Sequence, residues 1–486
     1  MSPLKPLTSE HDRRWLILAV LSVAQLMVVL DATVVNIALP SAQQALGFSD
    51  SSRQWVVTAY TLGFGSLLLL GGRLADLFGR KRTLITGLAG FAVASAVGGT
   101  AQSFTALVAA RGVQGIFAAL LAPAALSLLT ITFTDPQERG KAFGVFGAVA
   151  GAGAGIGLLL GGFLTEYLSW RWCLYVNLVF AAVAWTGALL FLSKHARSAK
   201  PRLDIPGMLT ASAGLFALVY GFSEADRSGW SASSTLGFLA AGVALLAVFV
   251  FIQQRAAHPL LPLRIVAHRN RGGAYLAMLI ASIGMFGVFL FLTYYLQQTL
   301  GYSPVTSGVA YLPMVGVLIA TSTIASTMLL PRVGPRPLVV CGMLLAAAGM
   351  VVFAQLAVQS TYAAHVLPGL IAVGLGLGLI FAPALSTATL GVDPADAGVA
   401  SATVNTAQQV GGSLGTALLN TVATTATATV AAGKAASPAV AAQAAVHGYT
   451  TAFWWAAAIV AGGAVICGLL LHRTPGREPA GELAPA

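Results

Sequence analysis

Apolar residues in this chain come in runs of about twenty, set apart by short polar connections, and the runs recur from one end to the other. A helix needs roughly 20 apolar residues to cross the ~30 Å hydrocarbon core of a bilayer. The pattern predicts fourteen such helices. The first six are Trp15–Leu39, Gln54–Gly72, Thr83–Ala101, Ala106–Thr130, Lys141–Leu164 and Trp172–Leu192, followed by Ile205–Ser223 and Thr235–Ile252. The last six are Gly273–Leu296, Ser307–Leu330, Pro337–Ala357, Ala363–Leu390, Val399–Thr425 and Tyr449–Leu471. The first run is too long for the apolar region of a cleavable leader and carries Asp31, so it is expected to remain as a membrane helix.

Composition agrees with that reading. Hydrophobic residues make up 57% of the chain and charged residues only 8%, with mean hydropathy +0.83. A soluble domain is about a quarter charged, so this chain cannot cover a water-facing surface. The expected fold class is an all-α integral membrane protein with lipid around it. The net charge of +11 would suit nucleic acid, but its placement argues otherwise. With both termini cytoplasmic, twenty-one of the 26 Lys and Arg fall in cytoplasmic segments. Arg53, Arg171, Arg227 and Lys434 fall outside, and Arg111 lies within a span. One missed helix would scramble every later connection, so the bias supports fourteen spans in a cytoplasmic (inner) cell membrane and no nucleic-acid partner. Cys173, Cys341 and Cys467 are isolated, have no metal-ligand spacing and read as small buried hydrophobes.

The chain also repeats. "LLAPAALSLLT" (Leu120–Thr130) returns as "LIFAPALSTAT" (Leu379–Thr389), and "DLFGRKR" has a weaker echo in "PRVGPRP", which pairs Gly79 with Gly334. Span 4 thus matches span 12, and span 2 matches span 10. The expected organisation is a six-helix bundle over 1–192, linkers and two inserted helices over 193–272, a second six-helix bundle over 273–474 and a cytoplasmic tail over 475–486. Six-helix halves in one orientation are a transporter architecture with the substrate path between them at mid-membrane.

Asp31, in "VVLDATVVNIALP", is the only acid well inside a span, and Arg111 the only base. An isolated charge is costly in lipid, so the two are expected to pair, either as a structural bridge or as a functional site. Asp31 lies about 24 Å along its helix from Trp15, too deep for so short a side chain to reach water inward. A carboxylate whose access to water and distance to Arg111 change between two conformations can take a proton on one side and release it on the other. Gln25, Asn36 and Gln114 are candidate polar partners or cavity residues, and interhelical packing bonds are an equal alternative for them.

Two glycine patterns stand out. "GRLADLFGRKR" (Gly72–Arg82) reads as a tight basic loop in which Asp76 bonds helix ends or guanidinium groups and Gly79 turns the backbone. In "GVFGAVAGAGAGIGLLLGGF" (Gly144–Phe163), Gly147, Gly151 and Gly155 recur at i+4, as do Gly153, Gly157 and Gly161, with Gly162 beside the last. No strand precedes it and no Walker lysine follows, so close helix packing is the better reading than a phosphate cradle.

These motifs resemble the major facilitator superfamily, and specifically its fourteen-span drug:proton antiporter branch. "LDATVVNIALP" is similar to that branch's first-helix motif, which implies proton coupling at Asp31. "RGVQG" resembles the fourth-helix motif, which sets Arg111 and Gly115 beside it. "GRLADLFGRKR" looks like the superfamily's loop signature, which implies gating by Gly72, Asp76, Gly79 and Arg80, with Asp135 helping. "YLQQTLGYSPVTSGVAYLP" and "AGVASATVNTAQQVGGSLGTALL" resemble further segments of the branch; in place of acids, span 13 offers Asn405, Gln408 and Gln409 as candidate cavity residues.

Two departures qualify the resemblance. Leu158 stands where the fifth-helix motif has proline, which bears on exchange against symport. The last six spans hold no acid, which implies neutral or amphipathic substrates, or single cations seen by Asp31. The expectation is a monomeric proton-coupled exporter of small molecules by alternating access. It would need no cofactor or metal, only the proton gradient. An uptake symporter and a non-transporting sensor or scaffold are the alternatives. No nucleophile–base or metal constellation points to an enzyme.

Overall fold

Lipid supplies no partners for free N–H and C=O groups, so a spanning chain must be helix or closed barrel, and unbroken apolar runs of about twenty residues select helix over alternating barrel strands. The computed structural model describes residues 10–48, 50–193, 204–257, 259–393, 396–432 and 437–472, and no strand occurs among them. The helices are α1 (Glu10–Leu46), α2 (Asp50–Phe78), α3 (Arg80–Gly99), α4 (Phe104–Thr132), α5 (Pro136–Tyr167) and α6 (Trp172–Phe191). Next come α7 (Ile205–Ser228), α8 (Ser233–Arg255), the short α9 (Leu263–Ala267) and α10 (Arg269–Tyr294). The remainder are α11 (Pro304–Ala310), α12 (Leu312–Ile324), α13 (Leu330–Val333), α14 (Pro335–Phe353), α15 (Leu367–Thr389), α16 (Ala397–Ala431) and α17 (Pro438–Leu470).

Twelve helical stretches among the described residues are long and apolar enough to cross a membrane. Two further long helices, α5 with 32 residues and α16 with 35, lie outside those twelve. They are the Gly-rich and the Asn/Gln/Thr-rich helices, and both are packed at the middle of the molecule. Helices α1 to α6 pack among themselves, as do α10 to α17. The two groups meet where α5 lies on α12 and α15, and where α2 and α4 lie on α16. The α7–α8 hairpin rests against α2 and α16. On its far side α8 exposes Leu236, Val243, Val248 and Phe251, an apolar face suited to lipid.

The sequence repeat has a structural counterpart. Pro123 sits inside α4 and Pro383 inside α15. Gly79, between α2 and α3, has φ 96°, and Gly334, between α13 and α14, has φ 73°, a region costly for residues with a Cβ.

Several expectations need correction. The basic "loop" after span 2 is Gly79 alone, because α2 continues through Asp76 to Phe78 and α3 begins at Arg80. Three of the later spans contain π-helical turns, at Tyr295–Thr299, Ala325–Leu329 and Tyr362–Val366, which apolar run length does not register. Two predicted span ends also move: α16 runs past Thr425 to Ala431, and α17 starts at Pro438, well before Tyr449, capped by Ser437. Cys173 and Cys467 are buried as expected, but Cys341 is on the outward face of α14. The linker 194–203 and the tail from 475 lie outside the described residues.

Candidate functional site

Asp31 and Arg111 meet inside the first group of helices. Arg111 donates to Asp31 Oδ2 at 2.6 Å, with both side chains essentially without solvent exposure. Asp31 Oδ1 accepts from Gln114 Nε2 at 2.9 Å and from Asn177 Nδ2 at 2.7 Å. Arg111 also donates to Gln114 Oε1 at 2.9 Å and to the Val56 carbonyl at 3.3 Å. Ser95 Oγ accepts from Gln114 at 2.9 Å and Asn177 at 3.0 Å, and donates to the Leu174 carbonyl at 2.9 Å. Five side chains from α1, α3, α4 and α6 thus form one closed network. A buried ion pair offsets its desolvation only when the remaining lone pairs and protons are also satisfied, and here the amides do that.

Helix geometry explains the convergence. Arg111 and Gln114 are three residues apart on α4 and so share a face. Glycines then bring α2 onto α4, because a Cβ at Gly115 would lie 2.9 Å from Phe64 N and would also overlap Tyr60 O. That approach sets the Tyr60 ring 4.4 Å from the Arg111 guanidinium carbon, a cation–π contact in a dry setting.

The predicted glycine faces of α5 occupy two different interfaces. Gly153, Gly157 and Gly161 lie against Val29, Thr33 and Val34 of α1, the turns that flank Asp31. Gly147 and Gly155 lie against Ala382 of α15 and Val315 of α12, across the two groups. Gly140 and Gly144 continue that second face onto Ser326 and Ser322. Gly162 is buried, and the surroundings of Gly151 lie outside the described residues. Leu158 is buried and α5 runs through it as one continuous helix.

Between the two groups is a cavity lined by Gln25, Asn405, Gln408, Phe146, Met278 and Phe381, among others. Its free volume of about 10 Å³ is room for about one water. The amide of Gln114, expected on this cavity, belongs instead to the Asp31 network, because its position on α4 faces α1 and α3. Gln409 faces Gly65 of α2 rather than the cavity. The side chain of Asn36 lies outside the described residues. Nor does Asp31 reach the cavity: all its partners are inside the first group, so a cation in the cavity would not touch it.

At the Gly79 end the groups are shut. Asp76 Oδ1 accepts from Arg80 at 2.9 Å and from the Gly398 backbone N–H at 3.1 Å. Gly72 packs on Gly398 so closely that a Cβ would lie 2.6 Å from Ala402 Cβ. On the other flank Arg139 donates to Thr389 at 2.8 Å. Asp135, expected in this gate, caps its own helix by accepting from the Gln137 and Glu138 N–H groups, each at 3.0 Å. Its neighbours make the longer reaches, Arg139 as above and Glu138 to Arg14 at 3.1 Å.

Sequence reading missed Asn177, Ser95, Tyr60 and Arg139. Asn177 carried a signal: it is a lone amide in the apolar run "LYVNLVF". Ser95 and Tyr60 carried none, since both residue types are common in such runs. Among the described residues no group of acidic, His and Cys side chains is placed to hold a metal.

Comparison with known proteins identifies the family. The model of the Major Facilitator Superfamily matches residues 21–416. The puromycin resistance protein pur8 of Streptomyces alboniger is 52% identical over 474 residues, covering 97% of this chain and 94% of that protein. The cephamycin export protein CmcT of Amycolatopsis lactamdurans is 39% identical, covering 85% and 86%. The tetracenomycin C resistance and export protein of Streptomyces glaucescens is 37% identical, covering 85% and 77%. Among solved structures, the proton:xylose symporter XylE superposes with TM-score 0.65 at 14% identity, covering 95% of each chain, a likeness of fold alone.

Proposed function

The chain belongs to the major facilitator superfamily, and on that premise we propose that it exports antibiotics or similar small amphipathic molecules across the cytoplasmic membrane in exchange for protons. It is a transporter and not an enzyme. Relatives named for puromycin, cephamycin and tetracenomycin C make an organic antibiotic the expected cargo. Counting α5 and α16 with the twelve apolar helices makes fourteen spans, arranged as two six-helix halves and the inserted α7–α8 pair. The Lys/Arg bias supports cytoplasmic termini, and in that orientation the closed Gly79 end faces the cytoplasm. The protein is taken to work as a monomer in lipid, with the proton gradient as its energy source and no cofactor.

The buried Asp31–Arg111 network carries this reading. In the outward-facing form a proton reaching Asp31 removes the negative partner of Arg111. The first half is then no longer held in its present packing, and α1 shifts against α5 along their glycine seam. That shift loosens the cavity between the halves, and cargo leaves through the open outer end. Return of the empty carrier delivers the proton inward, worth about 2.3 kcal/mol per 100 mV of membrane potential. The cargo binds between the halves at Gln25, Asn405 and Gln408, apart from the proton site, so coupling is conformational rather than by direct competition. Room for one water implies that the halves part before cargo enters.

Proton release from acidified inside-out vesicles tests this. Puromycin and related compounds should dissipate the gradient with wild type and not with Asp31→Asn. Equal responses from both proteins would remove Asp31 from the mechanism. A deepening of acidification on adding compound would instead establish proton-coupled uptake, the reading that Leu158 at the usual proline position favours.

A further inference from the structure

We propose that Asn177 is the positioning residue that accommodates a proton on Asp31, by turning its amide end for end from donor to acceptor. This rests on Asp31 being the coupling acid.

Around Asp31 every neighbouring group is a donor: Arg111 at Oδ2, and Gln114 Nε2 with Asn177 Nδ2 at Oδ1. Such a shell suits the ionised acid alone. A proton added to Oδ1 would point into an N–H, and one added to Oδ2 would point into the guanidinium. Arg111 has no acceptor to offer. Gln114 cannot turn, because its Oε1 already accepts from Arg111 at 2.9 Å. Only Asn177 has an oxygen to spare. Its Oδ1 is buried and has no hydrogen-bond partner among the described residues, whereas its Nδ2 serves both Asp31 and Ser95.

A half turn of the Asn177 amide places Oδ1 where Nδ2 stood, 2.7 Å from Asp31 Oδ1 and 3.0 Å from Ser95 Oγ. The new carboxyl O–H then donates to Asn177. Ser95 swings its hydroxyl hydrogen from the Leu174 carbonyl to the same oxygen, and still accepts from Gln114. One O–H bond forms on Asp31 Oδ1, no other covalent bond changes, and the hydrogen bonds around the carboxyl remain satisfied. The other titratable groups near Asp31 do not compete: Tyr60 of α2 directs its hydroxyl to the Val28 carbonyl, and Cys173 of α6 pairs with Thr165. Helix α5, packed on α1, brings glycines to these turns.

Infrared difference spectra of the full-length protein on lowering the pH test the switch, with protons as the only added ligand. Wild type should develop a carboxylic C=O band that Asp31→Asn lacks. An asparagine side-chain amide band, identified by ¹³C-asparagine labelling, should change with the same midpoint. In Asn177→Leu the amide band should be lost and the carboxylic band should move to higher wavenumber, its O–H now without an acceptor. A carboxylic band that appears in labelled wild type with no asparagine change overturns the switch, and needs no variant to fold. So does an amide band that survives in Asn177→Leu. Persistence of the carboxylic band in Asp31→Asn would overturn the coupling role itself, a separate failure.

Discussion

Asp76 at the end of α2 and Gly398 in the first turn of α16 clasp the two halves together, carboxylate to backbone N–H at 3.1 Å. The clasp works because each helix has a glycine at the closest point of the crossing, Gly72 on α2 and Gly398 on α16. A Cβ at Gly72 would lie 2.5 Å from Gly398 O, and one at Gly398 would overlap Gly72 O. The loop signature therefore does two jobs: Asp76 supplies the bond and Gly72 the space.

Adding a side chain at either glycine should hold this end open. Overpacking of 1–3 kcal/mol corresponds to about a 5- to 150-fold shift in population. With the three native cysteines replaced by alanine, Ala402→Cys should react at least about fivefold faster with a water-soluble thiol reagent when Gly72→Leu is added. An unchanged rate would mean that the crossing is not the gate.

Removing one member of the buried ion pair should cost more than removing both. Asp31→Asn and Arg111→Gln each strand an uncompensated group where exposure is near zero, at about 3–5 kcal/mol by analogy with other buried pairs. The double variant should recover part of that loss, because no unpaired charge remains. Thermal unfolding of the four proteins in one detergent measures the coupling, and simple additivity would argue against the pair.

The glycine seam between α5 and α1 makes a positional prediction. Gly157 has the Thr33 side chain directly against it, so Gly157→Val should push α5 away beside Asp31 and abolish export. Ile156, one residue earlier, is exposed and packs on neither glycine interface, and Ile156→Ala should leave export unchanged. Transport assays on vesicles with matched protein content compare them directly.

The inserted hairpin is held by a carboxylate at its start, which outweighs the exposed ion pair that follows it. Asp204 caps α7 at the Gly207 N–H (2.9 Å) and also accepts from Gln253 of α8 (2.6 Å) and from the Leu260 N–H (3.3 Å). Asp204→Ala should lose about 1–2 kcal/mol and speed protease cleavage between α8 and α9, while Asp204→Asn should lose less. Arg264, paired with Asp396 but 69% exposed, should tolerate alanine within about 1 kcal/mol.

The sequence alone determined the apolar runs, the orientation bias, the internal repeat and the two intramembrane charges. Each is a one-dimensional consequence of bilayer physics: a span needs a length, a connection needs a sign, and a buried charge needs a partner. The repeat was legible because Pro123 and Pro383 punctuate the same helix in each half, and Gly79 and Gly334 the same positive-φ turn. Only the tertiary structure decided which amides serve the acid and which serve the cavity. Gln114 and Gln25 look alike in sequence, yet helix rotation turns the first into the Asp31 network and the second toward the other half. The same holds for Asn177, whose run is as apolar as its neighbours', and for Arg139, which reaches Thr389 250 positions away. Periodicity places a residue along a helix; which neighbour it meets depends on rotation and crossing, and those are set by the glycine contacts between helices.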